Sequence, residues 1–567
     1  MDLIKQQIIE LLKSIGVSGV IELTTPPKPE MGDLAFACFG LAKEQGKNPA
    51  EVAKDLKKEL DSRLRGNDAL EKVEVFGPYV NFYLNNVELA KMVLNQKDPS
   101  TSFHSAQGKV MVEFAHPNTH KPVHIGHLRT MITGESMARI FENVGNKVVR
   151  ANYQGDVGMH IAKCLWGIMQ DKDWEKIIKN LKTTSERAIF LGQVYARGGQ
   201  AYEKDEQAKK EIEEINAKIY SQDKSIRGLY KKTRKWSLNY FDYIYQRVDT
   251  HFDRFYFESE CFELGKKIVL EGVKNGIFEE SQGAIIFAGS KYGLHDRVFV
   301  NSKGLPTYEA KDMALARLQF KEYHPDFIYH VVAKEQTEYF KVMFKALEFT
   351  LPNSKDKEKH LVYGWVSLKE GKMSSRTGQV ILAEWLLDEA EKKITEVMKG
   401  REIENKEKII RKIANAAIKY SMLKTGIGND IIFDINEAVS LTGDSGPYLL
   451  YIVARIKSIL RKSKAFLTAG RSKVVVGSVE PQEKSLILQI AQFPEVTKEA
   501  VEKLDPSRIA KYLFELAQKF NSFYENCPVL QAESVVVRDF RLQLISMTGQ
   551  AMEHGLGLLG ITAIDEM

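Results

Sequence analysis

Apolar positions recur at helical spacing over residues 1–16 and 48–64, and the alternating stretch VEVFGPYVNFYLN reads as strand, turn and strand. A small α/β unit over residues 1–100 is predicted, ending in the polar linker QKDPSTSFHSAQG. From Lys109 the pattern changes to the apolar run KVMVEFA, a Pro/His loop, the helix-periodic LRTMITGESMARIFENVG closed by Gly145, and a second apolar run, KVVRANY. This is a βαβ unit, which delivers a ligand to the loop after its first strand. Residues from about 170 to 250 carry Lys, Glu, Tyr and Trp at helical spacing with no strand signal, so a helical insertion is expected. The runs AIIFAG, RVFVN, FIYHVVA and HLVYGWVSL continue the α/β domain, which is expected to span 108–395. Beyond residue 400, helices at about 404–424, 445–468, 481–503 and 506–525 predict a separate helical domain over 400–567.

Composition adds bounds. A chain of 567 residues exceeds one ordinary core, and 44% hydrophobic with 28% charged residues is the balance of a globular chain. No run approaches the roughly 18 apolar residues that span a bilayer, and MDLIKQQIIELLKSIGV alternates charge with apolar residues, so no membrane association and a cytoplasmic location are expected. Cys38, Cys164, Cys261 and Cys527 form no CxxC pair, which suggests free thiols rather than a disulfide framework or a cysteine zinc site. The net charge of +6, from 81 basic and 75 acidic residues, permits a polyanionic partner without identifying one.

The segment EFAHPNTHKPVHIGHLRT holds His116, His120, His124 and His127. Spacing of four would stack histidines on one helical face as metal ligands, but Pro117 and Pro122 deny the first three a common helix. No structural zinc is therefore expected. The alternative is phosphate: His124 and His127 enter a helix whose free N–H groups favour anions, and Gly126 lets a nucleotide approach the backbone. About 245 residues later LKEGKMSSRTGQV forms a polar loop after a strand, from which Lys372 and Arg376 can reach a pyrophosphate.

Together these two segments resemble the H-I-G-H and K-M-S-K-S signatures of class I aminoacyl-tRNA synthetases. The flanks narrow the resemblance to the arginyl branch: Glu113, Pro117, Asn118, Lys121, Pro122, Leu128 and Arg129 all match its pattern. ANYQGDVG, LPTYEAKDMA, VVAKEQTEYF, LTGDSGPYLLYIVARIKSIL, GLGLLGITAIDEM, MGDLAF and GKNPAEVA extend the match along nearly the whole chain. The resemblance implies an α/β fold, with a Rossmann-type class I catalytic domain, an N-terminal α/β domain that touches the tRNA corner, and a C-terminal α-helical anticodon-binding domain. It implies two steps, arginine attacking the α-phosphate of ATP, then transfer of the arginyl group to the 3′ end of tRNA(Arg), with release of AMP and pyrophosphate.

The same resemblance assigns residues. His124, His127, Lys121 and Lys372 would neutralise the phosphates with Mg²⁺ that accompanies ATP, and Gly126, Met373 and Ser374 would line the ATP site. Lys121 stands just before the histidine signature, where arginyl enzymes carry a lysine when the second lysine of K-M-S-K-S is missing, as it is here at Ser375. Tyr308 and Asp312 would come from one helix at i and i+4 to meet the guanidinium, with Gln336 nearby. Glu113 and Asn118 would hold the amino and carboxylate ends or complete the polar wall. Tyr448, Tyr451 and Arg455 are the candidates for stacking on and pairing with tRNA. The default assembly is a monomer. The pattern also departs: Val157 stands where the family has tryptophan, Tyr339 where it has histidine, and Ala115-His116 where it has two small polar residues.

Overall fold

The computed structural model describes residues 1–63, 68–95, 108–369, 381–463 and 476–567. At its centre is a five-stranded sheet, all neighbours parallel, in the order Glu358–Tyr363, Phe327–Ala333, Lys109–Glu113, Lys147–Gln154, Arg254–Phe257. The chain starts this sheet in the middle, builds outward to Arg254–Phe257, and returns to the other side with Phe327–Ala333. Lys109–Glu113 is thus the strand at which the order reverses, and the crevice beyond its carboxyl end is where such sheets take a ligand. Both faces are covered, which suits strands as apolar as VMV and FIYHVV.

Helix Ile125–Asn143, the predicted crossover, runs from that crevice into the body of the protein and is buried along most of its length. Gly134 lies against the Phe114 ring so closely that a Cβ would collide with it. Thr130 Oγ1 donates to Val331 O at 2.8 Å, which ties the helix to the neighbouring strand. Its other face meets the C-terminal helices. Arg129, 1% exposed, donates to the carbonyls of Met422 and Ile427, and Ser136 Oγ donates to Leu558 O at 2.9 Å. One helix therefore carries both the crevice and the seam to the C-terminal bundle.

The amino-terminal part is a four-stranded antiparallel sheet, ordered Leu23–Thr24, Leu34–Ala37, Tyr79–Leu84, Leu70–Phe76, packed by helices Asp2–Ser14 and Pro49–Arg63. It docks on the carboxyl-terminal helices through Lys484 Nζ to Asp33 Oδ2 at 2.8 Å and Lys5 Nζ to Glu495 Oε1 at 2.5 Å. Helices Thr184–Lys204, Glu206–Tyr220 and Lys224–Arg247 form the insertion expected near 170–250.

Within the α/β domain AIIFAG and RVFVN, with Glu279–Ser281, make a separate three-stranded antiparallel sheet. HLVYGWVSL breaks at Gly364, where a side chain would meet the Asn429 carbonyl. Val366–Leu368 then pairs parallel with Ile431–Phe433, a short strand among the helices after residue 400. Helix Val535–Leu558 and strand Arg254–Phe257 were not foreseen. The helix opens on three β-branched residues, contains three glycines and is buried on most sides, so neither propensity nor polar periodicity marks it.

Helix Glu258–Lys274 crosses helix Tyr308–Tyr323 at Gly265, where a Cβ would fall inside contact distance of the Ala310 carbonyl. Gly265→Ala is expected to force these helices apart and cost about 1–3 kcal/mol, the usual range for overpacking. A melting temperature lowered by several degrees, with a raised KM for arginine if Asp312 is displaced, is the result to look for in thermal unfolding and steady-state kinetics.

Candidate active site

After Glu113 the chain crosses the crevice in a loop held by unusual backbone. Ala115, His116 and His120 take positive φ values of 79°, 47° and 65° without being glycine. Thr119 N donates to Gly155 O at 2.8 Å, and His120 N to Ser237 Oγ at 2.9 Å. The His120 ring lies between Thr119 Oγ1 at 3.0 Å and Thr233 Oγ1 at 2.7 Å, and burial drives its pKa down to about 3. His120 is thus a neutral pin joining the loop to the insertion. The four histidines do not converge on one point, and no group of three or more metal-ligating side chains is gathered among the described residues.

His124 caps helix Ile125–Asn143. Its Nδ1 accepts the Gly126 N–H at 3.1 Å, while His127 Nδ1 accepts the His124 N–H at 3.2 Å, a reciprocal pair with ring centres 3.8 Å apart. Burial, then Lys121, lowers the His124 pKa to about 4; burial, then His124, holds His127 well below the usual range. Both rings are neutral at pH 7. With each Nδ1 accepting from the backbone, each proton resides on Nε2, so both rings offer an N–H donor beside the helix N-terminus. A Cβ on Gly126 would sit 2.9 Å from His124 Cε1, so the glycine is required first by the folded-back imidazole.

Ile125 N donates to Ile381 O at 2.9 Å and Ala383 N to Val123 O at 3.0 Å, so the chain leaving the second signature is stitched to the first. Lys372, Met373 and Ser374, with Ser375 and Arg376, lie outside the described residues. Lys121 lies with its ammonium 5.2 Å from the Tyr195 ring centre, at the rim of a cleft of about 730 Å³ that Lys163, Arg297, Tyr308 and Lys311 also line.

Asp312, one turn into helix Tyr308–Tyr323, receives a hydrogen bond on Oδ2 from Tyr339 Oη at 2.5 Å, and no described cation pairs with it. Its neighbours are all matched. Glu258 pairs with Lys311 at 2.6 Å, His330 bridges Glu113 at 3.1 Å and Glu358 at 2.5 Å, and Asp156 pairs with Arg234 at 2.8 Å. Burial pushes the Asp312 pKa up to about 7; the Tyr339 bond opposes this, Glu113 and Glu258 add to it, and His330 opposes it. Among the described residues, this carboxylate has no paired cation.

Not every predicted residue lies as expected. Glu113, 3% exposed, has both oxygens engaged, by His330 Nδ1 and by Gln319 Nε2. Burial disfavours its charge, yet the His330 imidazolium, itself held charged by two carboxylates, keeps its pKa below the usual value. Glu113 therefore stands in the polar wall beside Asp312, one of the two places the resemblance allowed it. Tyr308 and Asp312 also part company: Tyr308, 64% exposed, faces the open cleft, while Asp312 lines with Glu113 and His330 a small inner cavity of about 30 Å³. They mark the front and back of one wall. Asn118 forms a bridge to Gly155, and Gln336 is exposed on the turn Lys334–Gln336 that ends strand Phe327–Ala333.

In the C-terminal bundle, Tyr448 is turned inward, its hydroxyl accepting from Asn521 Nδ2 at 2.9 Å and its ring meeting Phe514. Tyr451 is 40% exposed, and Arg455 lies over the Tyr524 ring at 4.4 Å. Val157, smaller than the tryptophan of the pattern, borders a pocket of about 300 Å³ with Arg227, Tyr230, Lys231 and Phe262. Reading the sequence missed the contact of Tyr339 with Asp312; the only signal was that a tyrosine stood where the pattern has histidine.

A parallel sheet reversing at its first strand, with a histidine-capped helix at the crevice, is the arrangement of a class I tRNA synthetase. Residues 88–435 match the family model for the class I (R) tRNA synthetase catalytic domain, residues 449–567 the DALR anticodon binding domain, and residues 2–84 the arginyl tRNA synthetase N-terminal domain. The chain is 34% identical to the arginine–tRNA ligase of Treponema denticola over 96% of its length and 95% of that protein, and 34% identical to that of Clostridium perfringens over the same shares. The Thermus thermophilus arginyl-tRNA synthetase structure superposes with a TM-score of 0.80 at 27% identity, covering 100% of both chains. The chain belongs to the arginyl-tRNA synthetases. No described helix is long and apolar enough to cross a membrane.

Proposed function

We propose that the crevice at Lys109–Glu113 activates arginine with ATP and passes the arginyl group to the 3′ end of tRNA(Arg). The observation that carries this is Asp312, an ionisable carboxylate beside Glu113 that no described cation pairs with. A guanidinium supplies the missing charge in a planar fork that a carboxylate accepts on two oxygens. Tyr308 would close over it from the cleft side, and Asn118 and Gln336 would meet the amino and carboxylate ends. Glu113 contributes charge through the wall rather than a direct bond.

The arginine carboxylate then attacks the α-phosphate and pyrophosphate leaves. The Nε2–H donors of His124 and His127, together with the positive end of the helix, face the charge that develops on the phosphate oxygens. Lys121 and Lys372 would add positive charge at the phosphates. Mg²⁺ would travel with the ATP phosphates, neutralising them as part of the substrate. In the second step a hydroxyl of the terminal ribose attacks the arginyl carbonyl and AMP leaves. Positioning and charge neutralisation suffice, and no covalent enzyme intermediate is needed. The helical domain at 400–567 would bind the anticodon, with Tyr451 as its exposed aromatic face, and the unit at 1–100 would touch the tRNA corner.

Pyrophosphate exchange into ATP, run with each amino acid in turn in the presence of tRNA(Arg), tests the proposal. Arginine is expected to be the strongest stimulant, with citrulline inactive because it lacks the charge Asp312 awaits. Stimulation by a neutral amino acid equal to that by arginine would refute it.

A further inference from the structure

Tyr339 stands near the start of helix Thr337–Thr350, at the place where the family pattern has histidine. Its hydroxyl donates to Asp312 Oδ2, and its ring is fixed by two neighbours. The Arg297 guanidinium lies 5.2 Å from the ring centre and is itself tied to Glu309 at 3.2 Å, while Phe340 meets the ring edge-on at 5.4 Å. The hydroxyl therefore has a set direction. A carboxylate rotating freely about its last bond can present either oxygen to a ligand at any tilt; one whose Oδ2 is held presents a fixed plane, with Oδ1 turned to whatever arrives.

We propose that Tyr339 is a positioning residue for arginine recognition, its hydroxyl orienting Asp312 for the incoming guanidinium. The inference rests on the reading of Asp312 as the guanidinium ligand. The charges that face Asp312 from the surrounding elements are Glu113 and Glu258, which disfavour its ionisation, and His330, which favours it. After burial itself, the bond from Tyr339 is the strongest influence on that carboxylate, and it acts to keep it charged. Arg297, paired with Glu309, completes the arrangement by holding the ring.

Steady-state aminoacylation by the full-length enzyme, with arginine, ATP and tRNA(Arg) varied in turn, tests this on Tyr339→Phe, Tyr339→Met, Tyr339→His and Asp312→Asn. Losing a hydrogen bond to a charged group is expected to raise the KM for arginine about tenfold or more in the Phe and Met variants, with kcat and the KM for ATP near wild type. The acid limb of kcat/KM for arginine should move to higher pH, because the bond that favours the ionised form is gone. Tyr339→His, which retains an N–H donor, should recover part of the loss. Whichever of the Phe and Met variants folds decides the matter. A KM for arginine within about twofold of wild type, or an equal rise in the KM for ATP, overturns the proposal. Asp312→Asn separates the two readings: if it too spares arginine, the assignment of Asp312 fails and this one with it; if it alone cripples arginine use, only the role of Tyr339 falls.

Discussion

Asp312→Ala lowers kcat/KM for arginine by about 10²- to 10³-fold and leaves the KM for ATP unchanged, as expected for removing one partner of a buried charge pair, which costs about 2–5 kcal/mol. The size of the effect follows from what surrounds the carboxylate. Glu258 already has Lys311, and Glu113 and Glu358 share His330, so no described carboxylate of the wall is open to substitute for it. Glu113 is bound to His330 and Gln319, and releasing it would leave a charged imidazole with one partner fewer in a buried site. Kinetics with arginine and ATP varied separately read the split between the two substrates; a parallel rise in both KM values would point to a distorted fold instead.

The same carboxylate sets a pH dependence whose sign can be worked out. Guanidinium recognition needs the ionised form, and with a pKa near 7 that form is lost as pH falls through neutrality. The kcat/KM for arginine should therefore fall by about tenfold per unit below pH 7, and in Asp312→Asn this limb should vanish with the activity. Stability runs the other way. A carboxyl group whose pKa rises from 3.8 to about 7 on folding favours the fold at low pH, and that contribution is lost as pH rises through this window. Ligand-free Asp312→Asn should accordingly melt no lower than wild type at pH 8, and arginine should raise the melting temperature of wild type only.

How far the amino-acid sequence announced this arrangement depended on what each residue answers to. The βαβ unit at 109–154 was legible because its apolar periodicity and its closing glycine are local properties. The histidine signature was legible because its flanks, Asn118 and Lys121 among them, lie within one loop. What could not be read is long-range partnering. The resemblance left Glu113 either at an end of the arginine or in the polar wall, and the choice turns on His330 and Gln319, more than 200 residues away. Tyr308 and Asp312 looked like one face of a helix, yet the insertion side and the inner wall take one each. Tyr448 offered itself as a stacking platform and is instead turned against Phe514 and Asn521. AIIFAG and RVFVN had the right strand chemistry for the parallel sheet, but neighbour and direction are decided by topology rather than by propensity.

His124→Asn separates what the histidine does for the helix from what it does for the nucleotide. Asparagine is among the best N-caps, and its side-chain oxygen can take the Gly126 N–H that Nδ1 now accepts, so the helix should lose little stability. It cannot place an N–H where Nε2–H now points, beside the helix N-terminus. The rate of arginyl-adenylate formation in single turnovers should then fall by about 10²- to 10³-fold, the usual effect of removing one preorganised donor to a developing negative charge, while the KM for arginine changes little. His127→Asn should behave alike, since its ring accepts the His124 N–H in the same reciprocal pair. Because both rings titrate far below neutrality, the rate should show no acid limb between pH 6 and 7 that these two substitutions remove. A melting temperature that collapses along with the rate would make the pair a structural cap and nothing more. An unchanged rate in a stable variant would remove His124 from the chemistry and leave the helix N-terminus and Lys121 to meet the phosphates.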